Sequence, residues 1–267
     1  VFLMKTLEKL HAGRLIYIHF VHGIRLGDEK REAALLKKIE SKNNIEIITR
    51  RLPTKIYAIK FGVSIEHAGR LLRHSFLLHF LKLKKAHHVI TGHHFDDHIE
   101  TYLLKKKRGS RYPIGLKFKT LIYNKSFIKP LLDINKQTIL KTLNSNKDTY
   151  ITDPSNDDLI YERNIIRHSK KQSQKETKLI LNDIHTNTVT IKKLNESTTR
   201  LISKIKTINN TFSISTIPLE KIDQDTCKFF INAFIHTVFS RNQTKGNLLI
   251  PSSIHSSKHI DCIYKAL

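Results

Sequence analysis

The sequence predicts an α/β fold over its first part, with a parallel sheet covered by helices on both faces, and a small helical domain after it. Three observations lead there. Short β-rich runs alternate with helical patterns up to about residue 170. The connecting segments have the length of βαβ crossovers, which indicate a parallel sheet. After residue 170 the pattern turns wholly helical.

Phe2, Leu3, Leu7 and Leu10 recur at helical spacing, and "RLIYIHF" at 14–20 then reads as a strand ending near His19. Asp28 to Lys42 reads as a helix with Ala33, Leu36 and Ile39 (or Leu35) on its buried side. "IEIITRRL" at 45–52 is a strand. Ser64 can cap the next helix, which carries Leu71, Leu72, Phe76, Leu78 and Leu81. "HHVITG" is a short buried strand ending in a glycine turn, and a helix opens near His94. Sheets of this kind bind ligands outside the carboxyl ends of their strands. The segments His19–Arg25 and Thr91–Asp97 are both expected there.

The polar stretch "SKKQSQKETK" follows as a joint or an exposed helix start. Ile184, Ile191, Leu194, Leu201, Ile205 and Ile208 recur at steps that suit one long amphipathic helix. A loop around "FSISTIPLE" then precedes a helix whose Phe230, Phe234, Ile235 and Val238 could pack on it. The expected domains are 1–168 and 169–267.

The chain of 267 residues has 47 Lys+Arg against 23 Asp+Glu, a formal charge of +24. Such an excess favours a polyanionic partner, because basic side chains release counterions from phosphates. The alternative is compositional drift in a chain rich in Lys, Ile and Asn. Cys227 and Cys262 form no CxxC pair, so a zinc ribbon, an iron–sulfur cluster or a disulfide scaffold is not expected, and a cytoplasmic location fits. No apolar run approaches the ~20 residues that span a bilayer, so no membrane is expected. The chain begins at Val1 inside an amphipathic pattern, which reads as a start within a domain.

Three clusters carry the chemistry. On a helix opening near His94, the residues His94, Asp97 and Thr101 share a face, with His93 in the turn before and Glu100 beside Asp97. A carboxylate beside a histidine at a strand–helix junction can hold a cation, orient an amine or move a proton. A helix N-terminus also favours phosphate. A metal site fits poorly, since Asp96 and Asp97 cannot both face one ion, and no metal is assigned. A capped polar helix start is the plainer alternative. The basic run Lys105, Lys106, Lys107, Arg108 and Arg111 at the other end suits a phosphate backbone, or else complements the negative end of the helix. The second cluster is "IHFVHGIR", with His19, His22, Gly23 and Arg25 around a tight loop. The third is "ITDPSNDDLIYERNIIRH". Asp153-Pro154-Ser155-Asn156 signals a turn and cap, and Arg163 and Arg167 follow four apart on a helix.

In this order and at these distances the clusters resemble the tRNA(Ile)-lysidine synthases, members of the N-type ATP pyrophosphatase (PP-loop) superfamily. The matching positions are His19, His22, Gly23 and Arg25; then Glu66, Ala68, Arg70 and Arg73; then Thr91 through Ser110. "KPLL" at 129–132 and Asp153 through Arg167 complete five collinear motifs. The resemblance covers residues 1 to about 168 and implies a Rossmann-like, adenine nucleotide alpha hydrolase-like catalytic domain, with a tRNA-contacting helical domain behind it.

The resemblance implies a carbon–nitrogen ligase that uses ATP, with its Mg²⁺, to adenylate O2 of the wobble cytidine in the CAU anticodon of an isoleucine tRNA. The ε-amine of free L-lysine then attacks C2 and displaces AMP, leaving lysidine. It implies that Asp97 is catalytic and holds the lysine amine, with Glu100 beside it. His93 and His94 would lie near the phosphates and the adenylate, and His22, Gly23, Arg25 and His93 would contact ATP. Arg70, Arg73, Lys105, Lys106, Lys107, Arg108 and Arg111 would meet the tRNA. Arg163 and Arg167 would contact tRNA or brace the site, and a homodimer is admitted.

The sequence departs from the family in one large respect. The family's S-G-G-x-D-S loop immediately precedes the helix that here begins "VFLMKTLEKL", and it is absent. The expectation is therefore an N-terminally truncated chain without normal ATP turnover as it stands. Gly69, His74 and His98 stand where Ala, Tyr and Gln are common. Mid-helix Gly69 costs about 1 kcal/mol relative to Ala. The alternatives are a PP-loop enzyme of the 2-thiocytidine type, which would carry cysteine motifs that this chain lacks; a catalytically dead tRNA-binding relic; and a metal-dependent hydrolase.

Overall fold

The computed structural model describes residues 1–10, 13–23, 28–43, 45–151, 162–168, 172–202, 206–208, 211–213 and 223–243. Arg25, Asp153-Pro154-Ser155-Asn156, Ile205, most of "FSISTIPLE" and Cys262 lie outside them, as do the side chains of Leu201, Ile235 and Val238. The described chain divides into two compact units. One holds Val1–Gly109 and Gly115–Gln172, the other Ser110–Ile114 and Ser173–Leu267.

In the first unit, helix α1 (Phe2–Leu10) buries Met4. Strand β1 (Tyr17–Val21) pairs in parallel with β2 (Ile47–Arg51), the register setting His19 beside Thr49. Helix α2 (Asp28–Asn43) crosses between them. His19 is thus central in β1 rather than at its end, because pairing with β2 continues through Val21. On α2 Ile39 is buried, but Ala33 is exposed, so the buried stripe is narrower than the spacing suggests.

Helix α3 (Thr54–Phe61) starts directly after Pro53, where a proline fits because a residue at a helix start donates no intrahelical hydrogen bond. It stops at Gly62, whose φ of 60° is the left-handed conformation glycine adopts without a Cβ clash. Ser64 caps α4 (Ile65–Leu83) as expected, accepting from His67 N at 3.2 Å. Leu81 on that helix is buried and Leu71 is exposed.

Strand β3 (His88–Ile90) pairs in parallel with β5 (Lys125–Ile128), and β4 (Lys119–Ile122) joins β5 in antiparallel fashion. The sheet is therefore mixed and not wholly parallel as the βαβ reading expects. Tyr123 and Asn124, with φ of 46° and 60°, form the two-residue turn of the β4–β5 hairpin, the handedness that matches strand twist. Leu81, Val89 and Phe127 form the core that joins α4 to this sheet, with Leu77, Leu78, Ala86 and Ile122 packed around them. Helices α5 (Phe95–Lys107), α6 (Lys136–Ser145) and α7 (Glu162–His168) complete the unit. Lys5 of α1 pairs with the buried Asp148 just past α6.

The second unit contains α8 (Gln174–Ile202), a hairpin of β6 (Lys206–Ile208) and β7 (Thr211–Ser213), and α9 (Gln224–Gln243). Ile184 and Leu194 are buried on α8 and Phe230 on α9, where it stacks on Phe234. The long helix ends at Ile202. Ile208 belongs instead to a strand, because three residues of backbone pairing with β7 replace the helical turn that its spacing predicts. Residues 110–114 join this unit: Pro113 O accepts from Asn187 Nδ2 at 2.9 Å, and Arg111 and Tyr112 both engage Asp225. No helix among the described residues is long and apolar enough to cross a membrane.

Candidate active site at the start of helix α5

The site grows from the end of β3. Thr91 N donates to Ile128 O at 3.0 Å, continuing the pairing with β5 by one residue. His94 bridges to Leu131, and Phe95 N donates to Ile134 O at 3.0 Å, so "KPLL" and its successor hold the turn that launches α5. His94 is the extended N-cap residue, and its N–H donates to Asp97 Oδ2 at 3.0 Å. Asp97 thereby satisfies a backbone donor just before the helix and places a negative charge in its first turn, where the dipole favours one. Asp96 faces elsewhere: its Oδ2 accepts from Lys136 N at 2.7 Å, fastening the first turn of α6 to that of α5.

Asp97 and Glu100 are both buried and occupy adjacent positions on α5, three residues apart. Helix α7 brings two arginines onto them. Arg163 Nη2 donates to Asp97 Oδ1 at 2.9 Å, and Arg163 Nε donates to Glu100 Oε2 at 2.8 Å. Arg167 grips Glu100 with two parallel bonds, Nε to Oε1 at 2.8 Å and Nη2 to Oε2 at 3.0 Å. Such paired bonds fix orientation as well as charge. Glu100, expected beside the lysine amine, therefore has both oxygens engaged by guanidinium groups and is only 6% exposed. It stands as a brace between α5 and α7. Asp97 keeps unused acceptor capacity, since a carboxylate offers about four lone-pair sites.

His93 Nδ1 lies 2.8 Å from Thr91 Oγ1. Burial pushes His93 below the ordinary histidine value, while Asp97 pulls it upward and Arg163, Lys129 and Arg73 push it down. His94 Nε2 lies 3.5 Å from Asp97 Oδ2, and His94 Nδ1 approaches Asp96 Oδ2 at 3.4 Å without an aligned bond. His22 and Gly23 sit just beyond β1, Gly23 with a φ of 62°. Burial, then Arg73 and His19, hold His22 below its usual value. Arg73 thus acts on both His22 and His93 across the two strand ends.

The basic residues divide by what they already touch. Lys107 and Arg108 pair with Glu162 at 3.2 and 2.7 Å, and Arg111 pairs with Asp225 at 2.5 Å; all three remain more than half exposed. Lys106 Nζ donates to the hydroxyl of the buried Tyr102 at 3.2 Å. Lys105 is held below the ordinary lysine value by burial, then by Lys117 and Arg70, and Lys129 by burial and Arg70. Lys117, Lys129 and His74 thus belong to the same cationic field, which the sequence reading did not include. Lys129 opens the matched "KPLL" and His74 stood out only as a departure from the family, whereas no pattern marked Lys117 ahead of the hairpin.

A family model for the PP-loop domain matches residues 1–173. The chain is 33% identical over 147 residues to the tRNA(Ile)-lysidine synthase of Thermosipho africanus, covering 55% of this chain and 34% of that protein. To the Bacillus anthracis tRNA(Ile)-lysidine synthase it is 32% identical over 166 residues, 60% of this chain and 35% of the relative. A Mesoplasma florum tRNA(Ile)-lysidine synthase matches at 27% over 239 residues, 88% of this chain and 57% of the relative. The chain spans about a third to somewhat over half the length of these curated relatives. With its larger part matched by that model, the chain belongs to the PP-loop domain family, and within it is similar to tRNA(Ile)-lysidine synthases.

Proposed function

We propose that this chain is the PP-loop part of an ATP-dependent ligase that joins lysine to C2 of the wobble cytidine of the CAU-anticodon isoleucine tRNA. The observation that carries the reading is the Asp97 carboxylate. It is buried at the head of α5, gripped from behind by Arg163, and flanked by two histidines. The names of the relatives support the substrate, and the motif order supports the placement.

The chemistry asks little of the protein beyond positioning and charge. The carbonyl oxygen of cytosine is a poor leaving group until it carries a phosphoryl ester, which ATP supplies when bound. The ε-amine of lysine then adds at C2, and AMP departs with that oxygen. Asp97 accepts a hydrogen bond from the amine and aims its lone pair, a positioning contribution. His93, kept below its usual pKa by burial, is neutral near pH 7 and can take the proton that the attacking amine sheds. His22 and Gly23 fit the phosphates by donor chemistry, a ring N–H and a glycine backbone N–H. Mg²⁺ enters with the nucleotide. Asp96 and Asp97 already serve Lys136, His94 and Arg163, so no protein ligand is assigned to it.

Arg163 and Arg167 act as braces in this reading, and the RNA backbone is met by Arg70, Arg73 and the basic end of α5. The test is ATP-dependent incorporation of labelled lysine into the CAU-anticodon transcript, by the chain carrying an S-G-G-x-D-S segment in frame ahead of Val1. Incorporation that requires both ATP and the CAU anticodon is expected. Its absence overturns the reading.

A further inference from the structure

The chain enters β4 through Gly115-Leu116-Lys117-Phe118, and three consecutive carbonyls of this run are held. Leu116 O accepts from His98 Nδ1 at 2.9 Å. Lys117 O accepts from Lys129 Nζ at 3.3 Å, and Phe118 O accepts from Lys129 N at 2.9 Å. The same Nζ donates to Thr120 Oγ1 at 3.2 Å. Gly115 is buried and admits the His98 ring, since a Cβ there would stand 2.5 Å from its Nδ1. Phe118 lies at the end of β5 where the site begins, because Lys129 follows Ile128, whose carbonyl accepts from Thr91 N.

On this pinned backbone the Phe118 ring stays 60% exposed, and Lys117 and Lys119 on either side of it are exposed as well. Residues 115–132 hold four lysines and no acid. Lys105 of α5 is repelled by Lys117 and by Arg70, so the run continues the cationic field of the site. One exposed apolar side chain is ordinary on a protein surface. A ring held between two cations is different: it suits a ligand that carries both anions and flat apolar faces. A nucleic acid strand has both, and its unpaired bases leave those faces open. Leu121 and Tyr123 are exposed too, but they lie towards the hairpin turn, at the opposite end of β5 from the site.

We propose that Phe118 is a stacking platform for an unpaired base of the RNA, with Lys117 and Lys119 meeting the phosphates beside it. His98 and Lys129 act as positioning residues that hold the platform's backbone. The inference rests on the RNA reading of this chain and deepens it, since a stacked ring responds to whether a base is unpaired and not to charge alone.

The chain has no tryptophan, so Phe118→Trp supplies its one indole as a local probe. The expected result is emission quenched on saturation with a CAU anticodon stem-loop and unchanged with a fully paired duplex of the same length. Phe118→Ala should weaken stem-loop binding roughly 10-fold and leave its salt slope unmoved, whereas Lys117→Ala should lower that slope by about one unit. Stem-loop binding without quenching, equal quenching by the duplex, or Phe118→Ala binding within twofold of the unaltered chain overturns this inference alone. An unaltered chain that binds no stem-loop overturns the RNA reading together with it. Emission that responds to phosphatidylserine vesicles and not to RNA overturns it as well and assigns the ring to a lipid surface.

Discussion

Arg163 bridges two acids at once, its Nη2 on Asp97 Oδ1 at 2.9 Å and its Nε on Glu100 Oε2 at 2.8 Å. A helix from the third sequence cluster is thereby fastened to a helix from the first, across 60-odd residues of chain. The network has four charges, two of each sign, in a part-buried setting. Removing one member leaves the others uncompensated.

Glu100→Gln is therefore expected to lower unfolding free energy by about 2–4 kcal/mol, because two guanidinium groups lose their shared counter-charge. Arg167→Lys should cost about 1–2 kcal/mol, since one ammonium cannot reproduce the paired bonds to Glu100. Denaturant unfolding of the two single variants and the double variant measures both. The double should cost less than the sum, as expected for residues in one network.

Asp96 should make stability depend on acid. The His94 ring and the Lys136 N–H hold its carboxyl at about 2, below the usual value of 3.8. A depressed folded-state pKa stabilises above the unfolded value and is lost as pH falls through the folded one. Asp96→Asn should thus destabilise by on the order of 1 kcal/mol at pH 7, a figure already reduced for the solvent that reaches this half-exposed group. The difference from the unaltered protein should hold down to about pH 4 and vanish near pH 2, read from thermal melts at each pH.

RNA binding should carry the mark of the basic field. Replacing Arg70, Arg73 or Lys105 singly by Ala should weaken binding of a CAU anticodon stem-loop and lower the salt slope by roughly one unit each. Arg163→Ala should leave the slope unchanged, because that guanidinium is already engaged by Asp97 and Glu100. Titrations between low and moderate salt decide it.

Much of the site could be read from sequence where one short motif carries its own geometry. The helix opening at His94, the cap at Ser64 and the spacing of His94 and Asp97 are local, and local rules placed them. Whatever depended on distant pairing was hidden. The β4–β5 hairpin turns at Tyr123-Asn124, where a tyrosine takes a left-handed conformation that its identity does not advertise. Glu100 looked free to hold an amine because the residues that occupy it lie more than 60 positions away, and four-residue spacing shows only that Arg163 and Arg167 share a face. Ile208 continued a helical period until strand pairing took it.

The central claim is that Asp97 holds the lysine amine. It is tested most directly by steady-state lysine kinetics of Asp97→Asn, in the loop-bearing chain with saturating ATP and CAU-anticodon tRNA. Asparagine keeps the size of the side chain and an oxygen for the His94 N–H, and it removes the charge. The account predicts a fall in kcat/KM for lysine of roughly 100-fold, about 3 kcal/mol of lost charge-assisted bonding, with tRNA affinity unchanged. Lysine kinetics within about twofold of the unaltered protein would contradict it.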